Sequence, residues 1–282
     1  MPAGFHTHNY LNIWIIAGLK KNAGVAAVCL ILLAGIIVLV YYCLNRSIPL
    51  DMVPGSVDDM YEGCNETMME KVLKEYLPKE LKEVTIFNES CTKSEICANE
   101  KQSIAKANHV ALTPNHLNAI CAYTDKKLNI YSKLNEAVRT NKNDYKSFQF
   151  HALHYFLTDA LRILKKREKE KGTACHTTYR RTKMKFDGEV NKLMRFGFFA
   201  SSSLSTEISK DFGNKSCFQI KTCFGADIEA YSQCEEEKEV LIPPFEKFKI
   251  TEKINGDKVL NCEELYILES DGVESNQNCK AV

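Results

Sequence analysis

Hydrophobic residues are distributed along this chain in three distinct regimes. The first is an unbroken apolar run from Ala23 to Leu44 with no charged residue. At about 1.5 Å per residue it can cross a hydrocarbon core of about 30 Å. It exceeds the usual signal-peptide core of about 7–15 residues. No small-residue cleavage site follows, because the next residues are Asn45, Arg46 and Ser47. Residues 23–44 therefore read as an uncleaved transmembrane signal anchor, in preference to a cleaved signal that would leave the chain secreted. Lys20 and Lys21 precede the run, while Arg46 follows alone before Asp51, Asp58, Asp59 and Glu62. The positive-inside rule places residues 1–22 in the cytosol and everything after Leu44 outside or in a lumen.

The second regime has helical spacing and extends from Val57 to about Lys171. Met60, Val72, Leu73 and Leu77 suggest one helix, and Leu128, Tyr131, Leu134 and Val138 another. The clearest pattern runs from Phe148 to Leu164, where Leu153, Phe156, Leu157, Leu161 and Leu164 share a face. These stripes read as core. After Gly172 short strand-like runs take over: Phe196–Ser201, Cys217–Cys223, Glu239–Ile242, Phe245–Ile250 and Leu265–Leu268. Helices followed by strands predict an α+β fold with an N-terminal helical part and a strand-rich part. A parallel dinucleotide fold is disfavoured, since no GxGxxG follows a strand. Residues 45–55, with Pro49 and Pro54, read as a stem, and residues 269–282 as a polar tail.

Composition narrows the compartment and the class. The net charge of +1 gives no support to nucleic-acid binding. Twelve cysteines suit an oxidising compartment, in agreement with the predicted topology. Acceptor triplets for N-glycans begin at Asn65, Asn88 and Asn214. No paired CxxC or HxxxH spacing points to a metal, so no metal is expected.

Three features of the strand-rich part carry candidate chemistry. Arg180 and Arg181 end Cys175-His176-Thr177-Thr178-Tyr179; Ser201-Ser202-Ser203 follow Phe198-Phe199-Ala200; and Glu235-Glu236-Glu237-Lys238-Glu239 leads into Val240-Leu241-Ile242. Taken singly they read as surface charge, a turn and a charged strand edge. Glu237 and Glu239, however, are two apart at the start of an expected strand, which would put both side chains on one face. Paired carboxylates repel unless something cationic sits between them.

Four ordered motifs then make the set specific. Cys-His-x-x-Tyr-Arg from Cys175, Arg-Phe-Gly-x-Phe-Ala-Ser-x-Ser from Arg195, Lys-Thr-Cys-x-Gly-Ala from Lys221 and Glu-x-Glu-Val-Leu-Ile-Pro-Pro-Phe-Glu from Glu237 occur in that order. Over roughly residues 50–268 the chain resembles the vertebrate arginine-specific ecto-ADP-ribosyltransferases. The boundaries implied are a domain over 56–268, divided into a helical part, 56–171, and a catalytic part, 172–268. The chain departs from the family pattern at Arg181, where many members have glycine, and at Cys234, where some have arginine.

The resemblance implies an enzyme that uses NAD as co-substrate and transfers ADP-ribose to arginine side chains of surface or secreted proteins. It assigns Arg180 to the NAD pyrophosphate, which a guanidinium can grip with two bonds. Ser201 would hold Glu239 and the nicotinamide ribose. Glu239 would stabilise the positive charge that builds on the ribose as nicotinamide leaves. Glu237 would orient and deprotonate the acceptor guanidinium, and Phe212 would stack on nicotinamide. It also implies the disulfides Cys64–Cys262 and Cys175–Cys223, with Cys91–Cys97 and Cys217–Cys234 as possible local pairs. Two alternatives are an NAD glycohydrolase and a catalytically silent surface binding protein. The intact Arg-Ser-Glu-x-Glu set argues against the silent one.

Overall fold

The computed structural model describes Leu32, Gly35 and residues 47–207 and 212–282. The expected cytosolic tail and, apart from Leu32 and Gly35, the expected anchor lie outside the described residues. Among the described residues no helix is long and apolar enough to cross a membrane. Ile48–Val282 form a compact unit of their own.

The fold of that unit is α+β, with helices first and strands after. Strand β1 (Ile48–Pro49) precedes helices α1 (Asn65–Lys71), α2 (Leu77–Glu83), α3 (Thr85–Ala107), α4 (Pro114–Thr124), α5 (Ile130–Thr140) and α6 (His151–Glu170). Then come β2 (His176–Thr182), β3 (Phe186–Asp187), β4 (Leu193–Arg195), β5 (Ala200–Ser203), β6 (Ser216–Thr222), β7 (Ala226–Asp227), β8 (Glu239–Ile242), β9 (Glu246–Asp257) and β10 (Cys262–Val273). Eight of these strands form one sheet in the order β4-β9-β10-β6-β2-β5-β8-β7. It is mixed, because β10 runs parallel to β6 while the other pairings are antiparallel.

Local chemistry explains the main helices. In α6 the leucine and phenylalanine stripe is buried. The buried Glu80 carboxylate accepts hydrogen bonds from the His151 and Ala152 amides at its start, 2.7 and 3.0 Å away. Its other end closes at Gly172 with φ +93, a left-handed turn that glycine adopts without strain. Thr113 caps α4 through a reciprocal box with His116, and Pro114 occupies the first turn.

Several expectations need correction. The helix expected from Met60 starts only at Asn65, because Tyr61 and Gly63 turn through positive φ before it. Between α1 and α2 the backbone widens into a π-helical turn, Val72–Tyr76. The run Phe196–Ser201 is not one strand: β4 ends at Arg195 and β5 begins at Ala200. Gly197, with φ +67, turns the chain between them. Residues 48–55 of the expected stem and residues 269–282, the expected tail, are both part of the compact unit. Ile48 and Pro49 pair with Phe186 and Asp187. Asp58 accepts from the Asn276 and Gln277 amides and pairs with the buried Arg195 at 2.7 Å.

The disulfide map changes as well. Cys64 bonds to Cys279, not to Cys262, and Cys262 bonds to Cys217. Cys97 pairs with Cys121, which excludes Cys91–Cys97, and the Cys217–Cys262 bond excludes Cys217–Cys234; Cys91 and Cys234 have no disulfide partner among the described residues. The reason is topology. Cys217 lies opposite Leu265 on the parallel pair β6–β10, which brings Cys262 near it, while the tail folds back over Asp59. Cys175–Cys223 is present and ties the start of β2 to the end of β6.

Candidate active site

Three neighbouring strands bring the candidate residues together. Tyr179 of β2 lies opposite Ser203 of β5, and Ser203 opposite Glu239 of β8. Ser201 is two residues from Ser203 and so shares its face of the strand. A cleft of about 230 Å³ opens there; Arg180, Ser201, Ser203, Phe212, Glu237 and Glu239 are among the residues that line it. Residues predicted from separate motifs thus converge on one wall.

Glu237 reaches the cleft by a different route from the one expected. It is not in a strand but ends a 3-10 turn, Glu235–Glu237. Lys238 then takes a left-handed conformation, φ 46, before β8 starts at Glu239. A reversal at Lys238, rather than strand alternation, sets the two carboxylates together. The Ser203 hydroxyl fixes the turn by donating to the Glu237 carbonyl at 2.8 Å. The turn is fixed from below as well, by the Glu237 amide donating to the Cys234 carbonyl at 3.1 Å.

Burial sets the electrostatics of the pair. Glu239 is 4% exposed, and its Oε1 has no hydrogen-bond partner among the described residues. Desolvation pushes its pKa up to about 7, with Glu237 adding to the rise. The neighbouring Ser201 hydroxyl, Arg180 and Lys126 oppose it. Glu237 is more open and pairs with the Lys126 ammonium at 2.5 Å.

Arg180 is half-buried. Its Nη1 donates to the Ser201 carbonyl at 2.6 Å, and its guanidinium lies 5.7 Å from the Phe198 ring centre. Burial lowers its pKa, against the pull of Tyr123 and Glu239. The remaining guanidinium donors can grip an anion such as a phosphate. Phe212 is exposed at the rim of the cleft, beside Gly213 at φ +118. An added Cβ at Gly213 would lie 2.6 Å from the Lys183 amide nitrogen, so the chain there must be glycine. Arg181 is turned to another task, donating to the Leu260 carbonyl.

Sequence reasoning missed four supporting residues. The Tyr123 hydroxyl donates to the Phe199 carbonyl at 2.7 Å, and Asn135 bonds to both the carbonyl and the amide of Phe199. Helices α4 and α5 thereby hold the entry to β5. Lys126 lies just beyond α4. Glu246 is fully buried and accepts from the Cys223 amide at 2.7 Å, fixing the turn after β6. Only Glu246 carried a signal, as the last residue of the Glu-x-Glu-Val-Leu-Ile-Pro-Pro-Phe-Glu motif. Asn88 and Asn214 are exposed, whereas the half-buried Asn65 lies 3.1 Å from the Tyr155 hydroxyl. No group of three His, Cys, Asp or Glu side chains among the described residues is placed to hold a metal.

Comparison with known proteins agrees with this geometry. Residues 50–263 match the model of the family described as NAD:arginine ADP-ribosyltransferase. Human ecto-ADP-ribosyltransferase 4 is 36% identical over 210 residues, covering 72% of this chain and 65% of the relative, so the chain spans just under two thirds of that protein. Mouse T-cell ecto-ADP-ribosyltransferase 1 is 35% identical over 238 residues, 82% of this chain and 77% of its own. The crystal structure of a mutant of the eukaryotic mono-ADP-ribosyltransferase ART2.2 in complex with NAD superposes with a TM-score of 0.70 at 29% identity. That match covers 83% of this chain and 100% of the other. By the converging cleft and by these likenesses, the chain belongs to the NAD:arginine ADP-ribosyltransferase family.

Proposed function

We propose that this chain binds NAD as co-substrate and transfers its ADP-ribose to arginine side chains of surface or secreted proteins, releasing nicotinamide. The observation that carries this reading is Glu239. It is a buried carboxylate with one oxygen unpartnered among the described residues, held beside Ser201 and Arg180 on the wall of a cleft that also contains Glu237. A buried carboxylate is costly to ionise and is retained where positive charge develops against it.

The residues divide the reaction between them. Arg180 holds the pyrophosphate of NAD, and Phe212 stacks on nicotinamide. As the bond from ribose to nicotinamide breaks, nicotinamide leaves neutral and positive charge spreads over the ribose. Glu239 stabilises that charge while Ser201 keeps the carboxylate and ribose aligned. A guanidinium, ordinarily protonated to above about pH 12, is a poor nucleophile. Glu237 orients it and takes its proton as the new carbon–nitrogen bond forms. The NAD-bound ART2.2 mutant supports NAD as the molecule this cleft binds. NAD hydrolysis is the second reading, and the Lys126–Glu237 pair favours it, because it occupies the carboxylate an arginine would need.

Residues 23–44 would anchor the chain with the catalytic unit outside, a placement that four disulfides and the ecto-ADP-ribosyltransferase relatives support. Glycosidase treatment should lower the apparent mass, and the protein should stay with membranes after alkaline washing. Its release into the wash would identify a cleaved signal. The activity is tested by incubating the full chain with labelled NAD and agmatine, a small guanidine. Nicotinamide release with labelled agmatine is expected. Release without labelled agmatine would favour hydrolysis, and no release at all would overturn the proposal.

A further inference from the structure

We propose that Lys126 is an internal rival of the acceptor: its ammonium occupies the Glu237 carboxylate that an incoming guanidinium must engage, and so sets the chain's acceptor affinity. This rests on the role given to Glu237 above.

The geometry is built, not incidental. Lys126 Nζ lies 2.5 Å from Glu237 Oε1, and Glu237 is mostly covered while Lys126 is half open to solvent. The lysine sits in the turn after α4, where the Asp125 carboxylate accepts from the Lys127 amide at 2.7 Å. That turn is stitched to the glutamate loop from the other side. The Gln233 amide donates to the Thr124 hydroxyl at 2.9 Å, and the Cys234 thiol contacts the Thr124 carbonyl at 3.6 Å. The ammonium and the carboxylate are therefore carried on two loops that are fastened together beside the cleft.

The local charge balance points the same way. Glu235 is engaged by Lys101, leaving Lys126 as the cation on Glu237 among the described residues. Glu237 is the strongest influence holding the proton on Lys126, with Glu236 adding to it. A single ammonium makes point contact with a carboxylate, whereas a guanidinium can bond to both its oxygens. An arginine acceptor can thus displace Lys126, but only by breaking an ion pair first. Water needs no such displacement. Lys126 therefore penalises transfer relative to hydrolysis and selects for acceptors whose arginine is presented with enough neighbouring contact to win the exchange.

The test compares wild type with Lys126→Ala and with Lys126→Met, which keeps much of the bulk and removes the charge. In the full chain, both variants should lower the KM for agmatine by about two- to fivefold, the range expected from releasing a partly exposed ion pair. The KM for NAD should move less, and the two variants should agree. An unchanged or raised agmatine KM in either variant would overturn the proposal, as would a fall in Lys126→Ala alone, which would mean that bulk and not charge is responsible. Agmatine binding is followed in parallel by NMR titration, which needs no turnover. If wild type releases no nicotinamide, the transferase reading fails on that observation. The Lys126 claim is then still decided by whether the variants tighten agmatine binding.

Discussion

Replacing Glu239 by Gln should make the protein more stable and inactive at once. The ordinary glutamate value is 4.5, whereas burial holds the proton on Glu239 up to about 7. Between those values the folded chain binds a proton at this site that the unfolded chain has lost. Stability contributed by the site therefore falls as pH rises from 4.5 to about 7, and the full penalty applies above 7. At 1.36 kcal/mol per unit the cost of ionising the buried carboxylate is about 3 kcal/mol. Glu239→Gln removes it. Urea denaturation of both proteins at pH 4 and pH 8.5 reads the difference directly. The variant should match wild type at pH 4 and exceed it by about 3 kcal/mol at pH 8.5. Other raised carboxyls, such as Glu246 and Asp59, titrate in both proteins and cancel. Nicotinamide release should meanwhile fall by roughly 10²–10³, the loss typical of one charge-stabilising group. Equal stabilities at pH 8.5, or a variant weaker than wild type there, would refute the burial argument.

The same protonation should shape activity: kcat/KM for NAD should decline as pH drops below about 7, where Glu239 takes up its proton. A flat profile between pH 5 and 8 would contradict this. Arg180→Lys keeps the charge but loses the planar fork, so the KM for NAD should rise on the order of tenfold while the fold persists. Steady-state kinetics and circular dichroism together check it. Cys64→Ser with Cys279→Ser opens a loop of sequence separation 215, which should cost about 2–5 kcal/mol in urea denaturation. An unchanged midpoint would show that the tail adds nothing through that bond.

Much of this architecture can be read from the chain, and the gaps have physical reasons. The strand Glu239–Ile242 and the helix ending near Lys171 are legible because their burial is periodic or complete. Helix α3 is not, since its polar and apolar residues form no clear stripe. The Arg-Ser-Glu-x-Glu residues are legible as ordered motifs; the strands that carry Arg180, Ser201 and Glu239 prove to be neighbours, while Glu237 sits on the turn before β8. What the pattern cannot report is pairing across the fold. Cys217–Cys262 follows from the parallel β6–β10 register, and Cys64–Cys279 from a tail held by Asp58 and Asp59. Polarity alone makes residues 269–282 look like a loose end. Lys126 was invisible for the same reason, since a lone surface lysine acquires meaning only when Glu237 lies against it.

In the proposed reaction the two glutamates act on different partners, Glu239 on the ribose and Glu237 on the acceptor. Glu237→Gln tests it most directly, with nicotinamide release and agmatine labelling measured side by side from the same reaction. The variant should lose labelling of agmatine yet retain substantial nicotinamide release, because water needs no carboxylate to orient it. Normal labelling by Glu237→Gln, or loss of both activities together, would contradict the division of roles.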